Sequence, residues 1–496
     1  MSIHLSRREF ARWAAVAGAS AVVGFDSRSR SWVTRAQAQT RAFQQIPTLD
    51  GKLLLDEESR KAVAIDKSNL YHKVPAAVLR PASVQDVVKM VQYANRHSLK
   101  VATRGQAHSQ YGQTQAEGGI VVDSRTLHAV RVIAPVSADV QAGALWAEVA
   151  TATLAKGLTP RVVPATCMAL SLGGTLNVGG LGNTSHRYGA IVDNVLELDV
   201  VTGDGRLVTC SPDRGSELFN MVLAGLGQCG IIVRARIPLI PAASHVMLQT
   251  LTYTNPERYL ADQLLLAREG RFDGQRGSMM RKNGGEWTFA MEVAKFFSPP
   301  GEPDRAALNS GLRFDSAAAP QRMAYQEYLF RFEARNAAAF SRNVPRVFIA
   351  AWIPASATRE YLGHLMALTA EQGGFPQAGG IETLSVYPMN SRRFTRPLFK
   401  VPAEDQFFTF WILRSAPAGS DSALAAMIAS NRDLLARMTA AGGKRYTPYG
   451  MILSRAEWQE HYGPQLWQRF SEAKRKYDPK QVLSPEPDIF GAAARL

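Results

Sequence analysis

An α+β protein of two domains with terminal appendages is what the sequence predicts, from three observations. Its 496 residues exceed what one ordinary core accommodates. Short β-branched runs alternate with helical patterns up to Pro241, and helices with aromatic strands continue from there to about Tyr446. Two glycine-rich stretches, Arg104–Gln113 and Leu172–Gly182, interrupt the first part. An apolar fraction of 46% and a charged fraction of 20% are those of a globular chain. Net charge is +15, of which Met1–Ala38 carries +4 (six arginines against Glu9 and Asp26), leaving +11. That balance suits anionic substrates or envelope surfaces. No Lys/Arg run interleaved with aromatics is present, which argues against a nucleic-acid partner. Cys167, Cys210 and Cys229 lack C-x-x-C spacing and are too few for a disulfide framework, and no metal site is implied.

Taken in order, Ser6-Arg7-Arg8-Glu9-Phe10 opens an apolar run from Ala14 to Phe25, and Ala36-Gln37-Ala38 follows with the A-x-A pattern of a cleavage site. The arginine pair reads as a twin-arginine export signal over residues 1–38. The run is shorter than the roughly 20 residues that span a bilayer. The segment is therefore expected to be removed, leaving a periplasmic or secreted protein without stable membrane insertion.

Val74–Pro81 reads as a short strand closed by proline, and Ser83-Val84-Gln85-Asp86 caps a helix with Val87, Val88, Val91 and Ala94 at helical spacing to His97. Val101 returns as strand and Val121-Val122-Asp123 is strand again. Between them lies Arg104-Gly105-Gln106-Ala107-His108-Ser109, continuing to Gln113. Successive N–H groups in such a loop form a concave anion site, to which Arg104 adds charge for a diphosphate. His108 by itself reads equally as a loop imidazole satisfied by its neighbours. A helix is expected over Leu145–Ala155, ending at Gly157. In the second glycine-rich stretch the side-chain-free positions, among them Gly173, Gly174 and Gly179, let the backbone approach a flat ring and a diphosphate closely. Two strands about Gly203-Asp204-Gly205 follow. Gly225-Leu226-Gly227-Gln228-Cys229-Gly230 satisfies G-x-G-x-x-G. A helix precedes it and the strand-like Ile231-Ile232-Val233 follows, the reverse of a dinucleotide fingerprint, so a nicotinamide site is not expected. Near the end, Trp458–Gly463 leads to a helix over Pro464–Lys476 and then Tyr477–Pro485.

R-G-x-x-H-S-x-x-G-Q, G-G-T-L-x-x-x-G, N-V-L-E-L-D-V-V-T-G-x-G and G-L-G-Q-x-G-I-I together resemble the vanillyl-alcohol-oxidase/PCMH flavoprotein superfamily, and most closely the cytokinin dehydrogenases. The resemblance implies a two-subdomain PCMH-type FAD-binding domain over 39–243. A cap with an antiparallel sheet and flanking helices would span 244–457, and a segment over 458–496 would return to the FAD domain. It implies FAD joined covalently to His108, with Arg104, Gly105, Gln106, Ala107, Ser109, Gln113, Gly173, Gly174, Thr175, Asn177, Gly179, Gly227, Gly230, Ile231 and Ile232 around it. Cys167 stands where the berberine-bridge branch carries a second, cysteinyl link, although a small buried thiol accounts for it equally well. Phe410 and Trp411, in a run similar to the family's cap, read equally as plain strand core.

The chemistry departs from the family. The aspartate it places seven residues before the G-G pair falls on Thr166, and its cap glutamate falls on Arg276. A hydroxyl or a permanently charged guanidinium cannot serve as base. Arg276 would suit an anionic substrate, or it is a surface arginine. His186 and Tyr387 are the candidate replacement bases. The expected function is an exported FAD-linked oxidoreductase taking hydride from an amine or alcohol carbon of a small molecule and passing electrons to oxygen, a quinone or a cytochrome. The alternative is a flavin-binding envelope protein, an electron carrier or ligand binder that has lost the catalytic acid.

Overall fold

The computed structural model describes residues 22–26, 31–34, 45–133, 136–281, 285–336, 343–371, 381–449 and 451–491. It divides into two units, Met1–Leu49 and Asp50–Leu496. In the first, strands Val22–Asp26 and Ser31–Thr34 pair antiparallel. The arginine pair and the cleavage pattern of the expected export signal lie outside the described residues.

The described residues of the second unit form three sheets. In the first, β1 (Lys52–Leu54), β2 (Ala77–Arg80), β3 (Val101–Arg104) and β4 (Ile120–Asp123) lie in the order β1-β2-β4-β3, antiparallel at β1 and parallel elsewhere. Helix α1 (Val84–His97) crosses between β2 and β3. It starts where the sequence signalled: Ser83 Oγ accepts the Asp86 N–H, and the Asp86 carboxylate accepts the Ser83 N–H.

The second sheet holds β5 (Val130–Ile133), β6 (Ser137–Gln141), β7 (Leu158–Pro160), β8 (Glu197–Val201), β9 (Leu207–Cys210) and β10 (Ile231–Pro241). Its order is β9-β8-β10-β6-β5, antiparallel throughout, with β7 on the far end of β10. Helices α2 (Trp146–Leu154), α3 (Leu172–Val178) and α4 (Ser216–Val222) pack on it. The first part of the glycine-rich stretch, expected as a loop, is α3: Leu172, Thr175 and Leu176 recur at helical spacing and are buried. The false dinucleotide motif sits between α4 and β10, helix first.

The third sheet comprises β11 (His245–Tyr253), β12 (Gly274–Arg281), β13 (Trp287–Phe297), β14 (Ser316–Ala317), β15 (Gln321–Ala324), β16 (Ile349–Pro354), β17 (Ile381–Asn390), β18 (Gln406–Arg414) and β19 (Lys444–Arg445). The order is β14-β11-β13-β12-β17-β18-β16-β19, with β15 also on β11. Alternation splits its side chains between two cores. Ile349, Ala351, Ile353, Leu384, Val386, Phe408 and Phe410 face helices α5 (Pro256–Glu269), α6 (Thr358–Glu371) and α7 (Asp421–Ala440). Ala350, Trp352, Tyr387, Met389 and Phe407 join the core of the second sheet. One sheet thus has a helix-covered face and a face turned to the cofactor-type subdomains.

Helices α8 (Arg455–Tyr462) and α9 (Pro464–Tyr477) lead the chain back, where Leu483 bridges in parallel to Val101 on β3. The return is anchored by a buried charge pair. Lys474 Nζ donates to Asp478 at 2.7 Å, to Gln228 O at 3.0 Å and to Leu483 O at 3.1 Å, while Asp478 accepts the N–H groups of Val482 and Leu483. Glu486, just beyond Pro485 in the same returning segment, pairs with Lys73 of the first subdomain. Removing one partner of such a buried pair strands the other charge, at a cost of ~3–5 kcal/mol. Asp478→Ala should lower unfolding stability by about 3 kcal/mol in denaturant melts of the holoprotein; a change within about 0.5 kcal/mol would show the anchor to be dispensable.

Candidate active site

The loop after β3 is tied down on both sides. Asp66 accepts the N–H of Ser68 at 2.8 Å, its hydroxyl at 2.5 Å and the N–H of Gly112 at 2.7 Å. On the other side the Gln110 N–H bonds Pro448 O at 3.2 Å, and Gln113 Nε2 bonds Thr447 O at 3.3 Å. Held between these, His108 Nδ1 lies 3.3 Å from the Tyr449 hydroxyl. The ring opens onto a cavity of about 420 Å³ yet sits deep in the molecule. Burial first, and the Lys67 charge second, push its imidazole down to about 3, so it is neutral at physiological pH.

One wall of the cavity is bare backbone. Gly105, Gly173, Gly174, Gly180, Gly227 and Gly230 line it. The Gly173 N–H bonds Ala142 O at 2.7 Å, and a Cβ there would stand 2.7 Å from the Ala142 methyl. Gly227, at φ +72°, has no room for a Cβ beside the Ser484 hydroxyl. The Leu226 N–H bonds Asn177 O, which ties this loop to the end of α3. A flat ring system with a diphosphate needs such an approach, and the residues present fit it.

The opposite wall comes from the third sheet: Arg276 on β12, Thr383, Ser385 and Tyr387 on β17, Trp411 and Leu413 on β18. Trp411 therefore faces the cavity and Phe410 the helices. Thr166 and Cys167 close one side, held by Glu333 Oε1 on the Met168 N–H at 2.6 Å and by Asn336 on Thr166 O. Cys167 is buried and in no disulfide, and burial pushes its thiol up to about 11.

Of the residues singled out in the sequence, Gly105, Gln106, Ala107, His108, Ser109, Gln113, Thr166, Cys167, Gly173, Gly174, Thr175, Asn177, Gly227, Gly230, Ile231, Ile232, Arg276 and Tyr387 line one cavity. Three do not. Arg104 turns its guanidinium to Ile65 O at 2.6 Å and Val63 O at 3.3 Å, so it braces the loop instead of meeting a diphosphate. Gly179 abuts the Phe399 ring. His186 is buried away from the cavity beside the main chain of Phe272 and Asn183, and burial lowers it to about 4. It is therefore no candidate base. Tyr387 reaches the cavity, but burial raises its phenol to about 12, so it donates hydrogen bonds and does not take a proton near neutrality.

The FAD-binding-domain family model matches residues 75–211, and that for "Cytokinin dehydrogenase 1, FAD and cytokinin binding" matches 261–490. An uncharacterized oxidoreductase of the fasciation locus of Rhodococcoides fascians is 34% identical over 87% of this chain and 97% of its own length. Cytokinin dehydrogenase 7 of Oryza sativa subsp. japonica is 32% identical over 90% and 92%. The chain belongs to the cytokinin dehydrogenase family of FAD-linked oxidoreductases. The fold is that of 6-hydroxy-D-nicotine oxidase from Arthrobacter nicotinovorans, with a TM-score of 0.68 at 21% identity over 88% of this chain and 98% of that one. It is thus an FAD-dependent oxidoreductase with a PCMH-type domain and an antiparallel cap. Among the described residues no helix could cross a membrane and no acidic, His or Cys group could hold a metal.

Among the lining residues that escaped sequence reasoning, Glu382 and Arg335 bear on the chemistry. Glu382 is the one carboxylate among the described lining residues. Strict alternation would send it to the helix side with Leu384 and Val386, but the β17–β18 register slips between Ile381 and Thr383 and leaves it at a bulge. Its Oε1 accepts the Ser415 hydroxyl at 2.5 Å. Arg335 lies in a stretch without motifs. No sequence signal marks either.

His186 provides a pH test of the packing behind the site. Its folded value, about 4, lies below the 6.5 of the free side chain, so the unfolded chain takes up the proton first as pH falls. Its stabilising neutrality is complete above about pH 6.5 and is lost toward pH 4, a penalty of ~3 kcal/mol. Denaturant midpoints of His186→Gln and the parent should converge between about pH 7.5 and 4.5; parallel pH curves would contradict the burial.

Proposed function

We propose that this family member is an exported enzyme that oxidises an amine or alcohol carbon of a small substrate, with FAD linked to His108. The proposal is carried by one observation: among the described residues a single carboxylate, Glu382, reaches a cavity that has His108 and six glycines on one side and aromatic strand residues on the other. FAD held there would supply the two-electron acceptor for the hydride that leaves the substrate carbon. Glu382 accepts the proton that the substrate's nitrogen or oxygen loses in the same oxidation, the task Thr166 and Arg276 cannot perform. Trp411 and Tyr387 orient the substrate and exclude water. Glu382 also favours turnover over a flavin carrier that has lost its acid.

His108 fits the attachment point because its neutral ring opens onto the glycine side. Cys167 lines the same cavity and fits a second link. Export follows from the twin-arginine pattern in 1–38, and the electron acceptor outside the cytoplasm would be oxygen, a quinone or a cytochrome. Residues 39–243, 244–457 and 458–496 would act as cofactor unit, cap and closing segment. The substrate differs from a cytokinin, because both acidic positions of the family's pattern are replaced.

Anaerobic mixing of the holoprotein with panels of amines, alcohols and hydroxy acids should bleach the absorbance near ~450 nm with at least one of them; a band unchanged by every class would favour a carrier. Once a substrate is found, Glu382→Gln should lower kcat by about 10²–10⁴, abolish the acid limb of its pH profile and leave flavin content unchanged. An unaltered pH profile would remove Glu382 from the proton's path.

A further inference from the structure

Two arginines that line the cavity on its cap side, Arg276 and Arg335, lie over one aromatic ring, Phe332, together with Arg331, which does not line it. Arg276, on β12, lines the cavity with its Cζ 4.8 Å from the Phe332 ring centre. Arg335, in the helical turn of residues 333–336, also lines it, with its Cζ 4.6 Å from the same centre. Neither forms an ion pair among the described residues. The carboxylate opposite Arg276 in the β12–β13 register, Glu292, is taken by Arg331 at 2.6 Å. Arg276 Nη2 reaches the Ser385 hydroxyl at 3.4 Å, on the strand that also carries Tyr387. Arg335 is exposed by solvent area, and partial desolvation by its neighbours, and then the charge of Arg276, hold its guanidinium below the ordinary value. Arg276 and Arg335, neither in an ion pair among the described residues, bring two positive charges to one part of the lining, which favours the entry of an anion there.

We propose that Arg276 and Arg335 form a clamp for a carboxylate on the substrate, so that the enzyme's substrates are small amines or alcohols bearing a carboxylate. This deepens the function proposed above and rests on it for the reaction, but the binding does not require turnover. Guanidinium forks meet carboxylates with paired, charge-assisted hydrogen bonds. Cation–π contact with Phe332 restrains both guanidiniums. Phe348, Tyr387 and Trp411 on the same lining supply apolar surface for the rest of the molecule.

The test is calorimetric titration of the purified holoprotein with benzoate and with benzamide, its neutral isostere. Benzoate should bind at least tenfold more tightly, and Arg276→Gln and Arg335→Gln should each weaken benzoate about tenfold while leaving benzamide unchanged. Arg335→Lys should recover part of the loss. A variant that loses both ligands has lost its cavity, and there the lysine replacement, which keeps the charge, decides the point. Equal binding of benzoate and benzamide, binding of neither, or benzoate affinity untouched by both glutamine variants would overturn the clamp. The first of these is also what the cofactor's own phosphates occupying the arginines would give. Because heat is read and no turnover is needed, a protein that binds benzoate but oxidises nothing would retain the clamp and lose the proposed reaction.

Discussion

Backbone meeting backbone without side chains between them is the constraint from which the site follows. Gly173 is bonded through its N–H to Ala142 at the end of β6, and Gly227 is wedged beside Ser484 of the returning tail. A methyl group at either position would push apart the second sheet, α3 or the closing segment. The tail can press there because Lys474 and Asp478 neutralise each other in the interior and satisfy the surrounding main chain. The smooth wall that FAD requires is thus a by-product of close packing among three distant pieces of chain.

The cap solves a different problem with one sheet. Its strands alternate strictly enough that Phe408 and Phe410 enter a helix-covered core while Phe407 and Trp411 turn to the other side. A sheet used on both faces offers few places for a polar group. The slip at Ile381/Thr383 creates one, which is why the lining carboxylate is a bulge residue.

Much of the cofactor side was legible in the sequence because it is local. The cap box at Ser83 and Asp86, the strand pair about Gly203-Asp204-Gly205 and the helix-before-strand order around Gly225–Gly230 are each set by residues within a few positions of one another. The gathering of His108, Gly173, Gly227 and Cys167 around one cavity followed from motif resemblance. The helical form of Leu172–Val178 was obscured by its glycines, since composition outweighed the spacing of Leu172, Thr175 and Leu176. Arg104 misled for a related reason: charge beside a glycine loop suggests an anion, whereas its carbonyl partners at Val63 and Ile65 lie some forty residues back. Glu382 and Arg335 were hidden because register slips and cap packing are long-range properties with no local signature.

In the proposed site the glycine wall holds a flavin against the imidazole of His108. This is tested most directly by unfolding the purified protein in acid and measuring the mass of the chain and of its proteolytic peptides. One FAD per chain should be retained, carried on the peptide that contains His108. A yellow protein whose flavin is released entirely on unfolding would contradict the link, and a chain that binds no flavin even when supplied with it would contradict the site.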